Sequence, residues 1–351
     1  YRPEDPDWVR FYLGITNPTY FALYARRRMD LYGDTLEDFA AVKVKNSRVG
    51  SLNPRARYRK CFTAEDVAAS AMVADPLRLM DICATSDGGA ALIVSSLDYA
   101  RKIGKGDAPR VAAISTVTPT FASSVVEMPD IATDSAAAAG VEAQAFRASL
   151  PVKAYEEAGI GPEDVNLAEV YDLSTALELD WIEDLQLAPR GEAAALLRAG
   201  DTALGGKIPV NVSGGLACFG EAVPAQALSQ VCELTWQLRG QAGDRQVEGA
   251  RVGITANQGL FGHGSSVIVK AGSVPAGYAV NSLLAHRRLL QKSDEIGPTL
   301  RVGNTQTHHA GLWEHGHGVF QPGIHDLRRP HEARAFKGFR IIVKTLLAAH
   351  H

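Results

Sequence analysis

Four cysteines and ten histidines are the side chains of this chain best suited to bind a metal or to act as a nucleophile. The cysteines are far apart and form no CxxC pair; they are Cys61, Cys83, Cys218 and Cys232. Zinc knuckles and disulfide frameworks depend on closely spaced cysteines, so we expect neither, and a reducing cytoplasm is the simplest location.

Nine of the histidines follow Lys270, where the composition changes sharply, and His263 is the exception. The pair in His315-Gly316-His317 is too flexible to make a strong metal site by itself, so we assign no metal. We expect residues 271–351 to be an atypical histidine-rich tail, disordered or non-native, with a predicted short element over 339–347.

Charge and hydropathy exclude two classes of partner. The formal net charge is −3, whereas binding to nucleic acid or to an anionic membrane requires a concentrated basic surface. No apolar run approaches the roughly 20 residues of a membrane-spanning helix. The chain starts at Tyr1 without the pattern of a signal peptide, and we expect a truncated start.

The apolar pattern predicts the elements that must position any site. Helix and strand patterns alternate between residues 151 and 270, which predicts α/β layers. The predicted helices are 21–32, the two that start after the capping residues Thr35 and Thr63, 152–158, 174–187 and 224–238. The predicted strands are 90–94, which is a continuous apolar run typical of a buried strand, 111–117, 165–170, 209–212, 250–256 and 265–269.

Six short motifs follow one another along the chain, at residues 32–40, 74–78, 86–91, 154–159, 168–172 and 211–215. Each is weak alone, but their order and spacing together resemble the thiolase superfamily, and within it the branch of sterol-carrier and lipid-transfer proteins. The resemblance implies an α/β fold of two βαβ halves, layered α/β/α/β/α, with an inserted loop domain.

The same resemblance implies a division of the chain. Residues 1–73 correspond to the loop domain, 74–150 to the end of the first half and a linker, and 151–270 to the C-terminal half. The N-terminal part of the first half, which carries the nucleophilic cysteine of the family, is expected to be missing. We therefore assign none of the four cysteines as nucleophile and expect each to be a small core residue.

The catalytic positions implied by the resemblance depart from the family pattern. Tyr171-Asp172-Leu173-Ser174 stands where thiolases have Asn-Glu-Ala-Phe or His-Asp-Cys-Phe. Glu221 stands in place of the histidine of Gly-His-Pro, and Ala256, before Asn257, in place of the catalytic base. The Glu221 carboxylate repels the negative charge that develops on an enolate oxygen, and the alanine side chain cannot accept a proton. We therefore expect thiolase turnover to be disabled.

The remaining residues suit a retro-aldol cleavage, which requires an acid/base and a stabilised enolate but no covalent intermediate. Tyr171 is the predicted acid/base, with an ordinary pKa of about 10 that its neighbours must tune. Glu221 or Asp172 is its predicted carboxylate partner, and Asn257 is a further catalytic candidate. The closest resemblance is to steroid side-chain-cleaving aldolases, which implies release of propionyl-CoA from a 17-hydroxy steroid acyl-CoA.

Coenzyme A enters this scheme as part of the substrate, and we expect no bound cofactor. The predicted contacts to it are Ser213, Gly214, Gly215 and His263. The two glycines also suit the close approach of a neighbouring helix. Likewise, Glu221 also suits the N-terminal cap of the helix that begins near Pro224.

The resemblance also implies partners. We expect a homodimer and a separate partner subunit with an OB fold and a zinc ribbon. Two other functions stay open: a thiolase-type acyltransferase, similar to acetyl-CoA acetyltransferase, and a non-catalytic carrier of lipid or acyl-CoA, or a scaffold subunit.

Overall fold

A computed structural model describes residues 16–117, 146–258, 264–272 and 339–342 of the 351-residue chain. In this part of the chain the helices are α1 (Asn17–Tyr32), α2 (Leu36–Leu52), α3 (Ala64–Ala69), α4 (Leu97–Lys102), α5 (Phe146–Ala158), α6 (Thr175–Asp184), α7 (Ala193–Arg198), α8 (Gly215–Cys218) and α9 (Ala225–Gln237). None of these helices combines the length and the apolar character that a membrane crossing requires.

Local capping chemistry determines where several helices begin, as the sequence predicts. The Thr35 hydroxyl accepts a hydrogen bond from the Asp38 backbone N–H, and the Asp38 carboxylate accepts one from the Thr35 N–H at 2.9 Å. Thr63 starts α3 with the same capping box. Each box satisfies backbone donors that the first turn leaves free.

The strands are β1 (Met72–Ala74), β2 (Leu77–Arg78), β3 (Ile93–Ser96), β4 (Arg110–Val117), β5 (Leu167–Val170), β6 (Val252–Gln258), β7 (Gly264–Lys270) and β8 (Phe339–Ile342). β1 and β2 form a two-stranded sheet, and the other six form one sheet in the order β3-β8-β4-β7-β6-β5. β5 and β6 are parallel, and the remaining neighbours are antiparallel.

The core is concentrated around β5 and β6. All four residues of β5 are buried, and successive strand residues face opposite sides, so both faces of the sheet are covered there. α9 packs against β5 and β6, and α5 packs against β4 and β7. Trp181 and Leu179 of α6 are among the most deeply buried side chains. This packing makes the carboxyl ends of β5 and β6 a rigid platform.

Two predicted strands need correction. The apolar run at 90–94 is not a buried strand: β3 begins only at Ile93, and Ile93 and Val94 are exposed by 44% and 48%. An apolar run shows that a strand is favourable, but not whether another layer covers it. Residues 209–212 make only an isolated bridge between Val210 and Ala168, because the backbone turns at Asn211 with a φ of 56°.

The predicted segments are connected closely in the structure. β4, from the 74–150 segment, pairs with β7, from the 151–270 segment, over its whole length. α1 and α2, from the 1–73 segment, pack against α6. Within the predicted tail, β8 pairs with β3 and confirms a short element that starts at Phe339. The borders at residues 73, 150 and 270 stay predictions.

Candidate functional site

The candidate site lies where two neighbouring parallel strands end. Val170, the last residue of β5, is in register with Ala256 of β6. Tyr171 directly follows Val170, and Asn257 follows Ala256 near the end of β6; both carry polar side chains. In open α/β sheets the carboxyl ends of parallel strands are the usual place for ligands, so these two side chains mark the edge to examine.

Tyr171 and Glu221 form the central contact of this edge. The Tyr171 hydroxyl donates a hydrogen bond to Oε1 of Glu221 at 3.0 Å, and only 7% of the tyrosine is exposed. Of the two predicted carboxylate partners, Glu221 therefore contacts the phenol. The alternative helix cap is not formed: α9 starts after Pro224 without a side-chain cap.

Backbone pairing holds Glu221 in place. Its N–H donates to the Ala84 carbonyl, and its own carbonyl accepts from the Ser86 N–H, each at 2.8 Å. The preceding Gly220 has a φ of 118°, and a Cβ there would lie 2.2 Å from the Ser86 hydroxyl oxygen. Only glycine permits this close approach, so the fold requires a glycine directly before Glu221.

Cys83 completes the set of groups around the Glu221 carboxylate, and the sequence did not predict it. Its Sγ donates to Oε2 at 3.1 Å. Burial, followed by the charge of Glu221, raises the pKa of the Cys83 thiol well above its usual range. The thiol is therefore protonated at neutral pH, and a thiolate nucleophile is disfavoured.

The prediction that all four cysteines are core residues is right for two of them. Cys218 and Cys232 are buried, whereas Cys61 is exposed and Cys83 is half-buried. Cys61 was wrongly predicted because it lies in a connecting segment between α2 and α3, where sequence alone gives no measure of coverage.

The electrostatics of Tyr171 point in one direction. Burial is the main cause that raises its pKa well above the ordinary value, and the charge of Glu221 and their hydrogen bond add to it. The phenol therefore stays protonated at neutral pH and can only donate or relay a proton. If the pair accepts a proton, Glu221 is the group that receives it.

Two amide side chains of α9 are buried near the ends of β5 and β6. Gln226 acts to lower the pKa of the Tyr171 phenol, against the larger effect of burial. One helical turn later, Oε1 of Gln230 accepts a hydrogen bond from Nδ2 of Asn257. Oε1 of Gln226 and Oδ1 of Asn257 are buried and have no partner among the described residues. The two glutamines are four residues apart on a predicted helix and therefore share one face, which is the sequence feature that could have identified them.

Asp172 does not join this edge. Its Oδ1 accepts from the Leu216 N–H at 2.7 Å, and its Oδ2 accepts from the Ala217 N–H and from the Asn46 amide at 3.3 and 3.2 Å. It is 1% exposed, and burial together with Glu178 raises its pKa well above the usual value. The structure thus places Asp172 at the start of α8, away from Tyr171's carboxylate partner.

The predicted coenzyme A contacts at 213–215 have partners inside the fold. The Ser213 hydroxyl donates to Glu169 at 2.6 Å. A Cβ at Gly214 would lie 2.8 Å from Cα of Gly50 in α2, and one at Gly215 would lie 2.4 Å from Oδ2 of Asp172. Of the two roles that the sequence left open for the glycines, the structure shows the close approach of a neighbouring helix. Contact with coenzyme A stays a prediction.

Two further features bear on the site. His263 and the other nine histidines lie outside the described residues. Among the residues that are described, no group of histidine, cysteine and carboxylate side chains is arranged to hold a metal ion. A cavity of about 660 Å³ opens between α2 and α7, and a second one of about 550 Å³ opens beside the end of α5. Neither Tyr171 nor Glu221 lines either of these two cavities.

The chain is similar to several known proteins. Residues 120–271 match the protein family described as thiolase C-terminal domain-like. Acetyl-CoA acetyltransferase of Methanothermobacter thermautotrophicus is 38% identical over 270 residues, which are 75% of this chain and 65% of that protein. Sterol carrier protein 2 of Oryctolagus cuniculus is 36% identical over 256 residues, which are 73% and 45% of the two chains.

The chain therefore spans less than two thirds of the length of these two relatives. Among solved structures, the Ltp2-ChsH2(DUF35) aldolase superposes with a TM-score of 0.63 at 27% identity, covering 78% of this chain and 69% of that chain. These similarities agree with the mixed α/β architecture.

Proposed function

Because the chain belongs to the thiolase superfamily, we propose that it acts in the acyl-CoA-dependent retro-aldol cleavage of a steroid side chain, with release of propionyl-CoA. The observation that carries the proposal is the 3.0 Å hydrogen bond from the Tyr171 hydroxyl to Glu221 at the carboxyl end of β5. A buried phenol paired with a carboxylate is an acid/base pair that needs no thiolate.

The proposed reaction balances with this pair alone. The hydroxyl on the β-carbon of the acyl thioester gives its proton to the Tyr171 oxygen while the phenol proton passes to Glu221. The bond between the α- and β-carbons then breaks, its electrons move to the α-carbon as an enolate of the thioester, and the β-carbon becomes a ketone. The pair returns the proton to the α-carbon, which yields propionyl-CoA and a 17-keto steroid.

Two observations favour this reaction over acyl transfer. The thiol of Cys83 has a raised pKa, so the cysteine at the site is a poor nucleophile. Ala256 is fully buried on β6 at the position where the family has its base. The similarity to an acetyl-CoA acetyltransferase keeps acyl transfer as the second candidate.

The proposal includes a partner subunit. The solved aldolase pairs Ltp2 with ChsH2(DUF35), and its similarity to this chain supports a partner of that kind. We expected this partner to have an OB fold and a zinc ribbon, and we expected the chain to form a homodimer; both stay predictions. The non-catalytic carrier or scaffold stays the third candidate.

The test is to incubate the chain and its partner subunit with a 17-hydroxy steroid acyl-CoA and to measure propionyl-CoA by mass spectrometry. We expect Tyr171→Phe and Glu221→Gln each to reduce the rate at least about 100-fold, since general acid–base catalysis typically contributes about 10²–10⁴-fold. Wild-type chain without product, or undiminished product from Tyr171→Phe, contradicts the proposal.

Tyr155→Phe is the matched control. Tyr155 is also a buried tyrosine, but its hydroxyl donates to the Leu185 carbonyl at 2.8 Å, away from Glu221. We expect this variant to keep the wild-type rate. In parallel, transfer of an acetyl group between two acyl-CoA molecules that persists in Tyr171→Phe would favour the acyltransferase. Binding of the acyl-CoA with no reaction would favour the carrier.

A further inference from the structure

The larger of the two cavities described above lies between α2 and α7, away from Tyr171 and Glu221. Its volume of about 660 Å³ is within the range of about 300–1,000 Å³ that is typical of sites for small molecules. Most of its lining side chains are apolar, and they include Ala41, Val44, Leu52, Phe62, Leu197 and Leu204. A cavity with this lining fits a ligand that has a long apolar part.

The sequence spacing along α2 explains the shape of one wall. Positions 41, 44, 45, 48, 49 and 52 all line the cavity, and steps of three and four residues place them along one face of a helix. At 1.5 Å per residue, the face from Ala41 to Leu52 is about 16 Å long. Leu52, at the end of this face, is 43% exposed. The wall is therefore a long apolar strip that opens to solvent at one end, which suits an extended hydrocarbon chain.

Three basic side chains line the same cavity, and two of them are neutralised. The Lys45 ammonium pairs with Glu178 at 2.8 Å, and the Arg198 guanidinium pairs with Asp38 at 2.5 Å. Arg48, in contrast, is exposed and forms no ion pair with any carboxylate in the part of the chain that the structure describes. The Arg48 guanidinium is therefore the positive charge of this cavity that is available to a ligand.

The one acidic side chain of the lining, Glu37, determines the orientation of a charged ligand. Glu37 lies in the first turn of α2, about 16 Å along the helix axis from Arg48. A carboxylate repels an anionic head group, whereas a guanidinium attracts it and can donate two parallel hydrogen bonds to a carboxylate. An anionic head group is therefore favoured at the Arg48 end, with an apolar chain that runs along Val44 and Ala41.

We propose that this cavity binds a fatty acid: its carboxylate pairs with Arg48, and its hydrocarbon chain lies along the apolar face of α2. The charge of the head group matches the unpaired guanidinium, and the apolar chain matches the rest of the lining. The site is separate from the proposed reaction, because neither Tyr171 nor Glu221 lines the cavity. The inference therefore goes beyond the proposed function and does not depend on it.

The test is isothermal titration calorimetry of the whole chain with two probes, dodecanoate and dodecanol, which have the same chain but differ in charge. We expect the wild-type chain to bind one dodecanoate. Arg48→Met should bind dodecanoate at least about tenfold more weakly, because charge-assisted hydrogen bonds to the carboxylate are lost. The affinity for dodecanol should change by less than about twofold, because the alcohol forms no ion pair with Arg48.

Arg27→Met is the matched control for the loss of one positive charge. Arg27 is also exposed, but it belongs to α1 and does not line the cavity. We expect this variant to bind dodecanoate within about twofold of the wild-type affinity, because solvent and salt screen a distant surface charge. A second variant, Ala41→Trp, tests the location, since the larger side chain fills the cavity and should abolish the binding of both probes. Val44→Trp replaces it if Ala41→Trp does not fold.

Three results overturn the proposal. The first is a wild-type chain that does not bind dodecanoate. The second is an Arg48→Met variant that keeps the wild-type affinity for dodecanoate or loses affinity equally for both probes. The third is unchanged binding in a folded Ala41→Trp variant, which places the ligand elsewhere in the chain. If dodecanoate does not bind and Ala41→Trp instead dissociates a dimer in analytical ultracentrifugation, the cavity is a contact between two copies of the chain.

Discussion

Replacing Gly215 by alanine tests whether the glycine pair at 214–215 serves the packing of the fold. Gly215 has a φ of 60°, and an alanine Cβ would lie 2.4 Å from Oδ2 of Asp172. A residue with a Cβ in the left-handed conformation costs about 1–2 kcal/mol. Since the carboxylate is 1% exposed and bonds two backbone N–H groups of α8, displacing it leaves buried polar groups without partners, which costs about 2–3 kcal/mol more. We expect Gly215→Ala to lower the free energy of unfolding by about 3–5 kcal/mol.

Gly240→Ala is the control for the backbone contribution. Gly240 has a φ of 67°, and an added Cβ would meet no atom within 4 Å. We expect this variant to lose only about 1–2 kcal/mol. The assay is urea unfolding followed by circular dichroism, with the slopes compared to confirm that the unfolded states are alike.

Equal losses in the two variants, within about 0.5 kcal/mol, would show that Asp172 moves aside without penalty. The structural explanation of Gly215 would then be refuted, and the predicted contact with coenzyme A would become the better reason for this glycine. A loss in Gly215→Ala that is clearly larger supports Asp172 as the residue that anchors α8.

Three further expectations follow from buried groups. Arg28→Met should lower the free energy of unfolding by about 3–5 kcal/mol, because it leaves three buried carboxylates without their cation. Arg26→Met, which removes an exposed ion pair of the same helix, should cost less than about 1 kcal/mol. Similar urea midpoints for the two variants would contradict this expectation. Burial, and then a neighbouring carboxylate, raise the pKa of Glu169 from 4.5 to about 8. The folded chain therefore binds this proton more tightly than the unfolded chain does. As a result, the free energy of unfolding falls as the pH rises from 4.5 to about 8. Glu169→Gln should reduce this slope in urea titrations between these two pH values, and an unchanged slope would refute the assignment. Ser174→Ala removes the cap of α6 and should cost about 1 kcal/mol; a thermal midpoint equal to that of the wild type would contradict the cap.

Much of the fold is predictable because its signals are local. Thr35 and Thr63 start helices through residues three positions away, and the periodic apolar segments 111–117 and 250–256 become β4 and β6 within a few residues. The coverage of a strand is a different matter. The run at 90–94 was predicted to be buried, but whether a second layer covers it depends on residues far away in sequence.

The site shows the same division. The sequence, through its resemblance to thiolases, brought forward Tyr171, Asp172, Glu221 and Asn257. It could not choose between Asp172 and Glu221 as the partner of the phenol, although consecutive residues leaving a strand point to opposite sides. It also gave no reason to include Cys83.

The sequence by itself predicted the starts of α2 and α3 and the positions of β4 and β6, and its resemblance to thiolases predicted the departures at Tyr171, Glu221 and Ala256 from thiolase chemistry. Only the tertiary structure decided that the carboxylate 50 residues beyond Tyr171 lies 3.0 Å from its hydroxyl, that Cys83 bonds the same carboxylate, and that Asp172 holds α8 instead. The physical reason is that capping and periodicity act over three or four residues, whereas a buried polar group finds its partners across the whole chain. Its partners are fixed only when the layers have packed and water has been excluded.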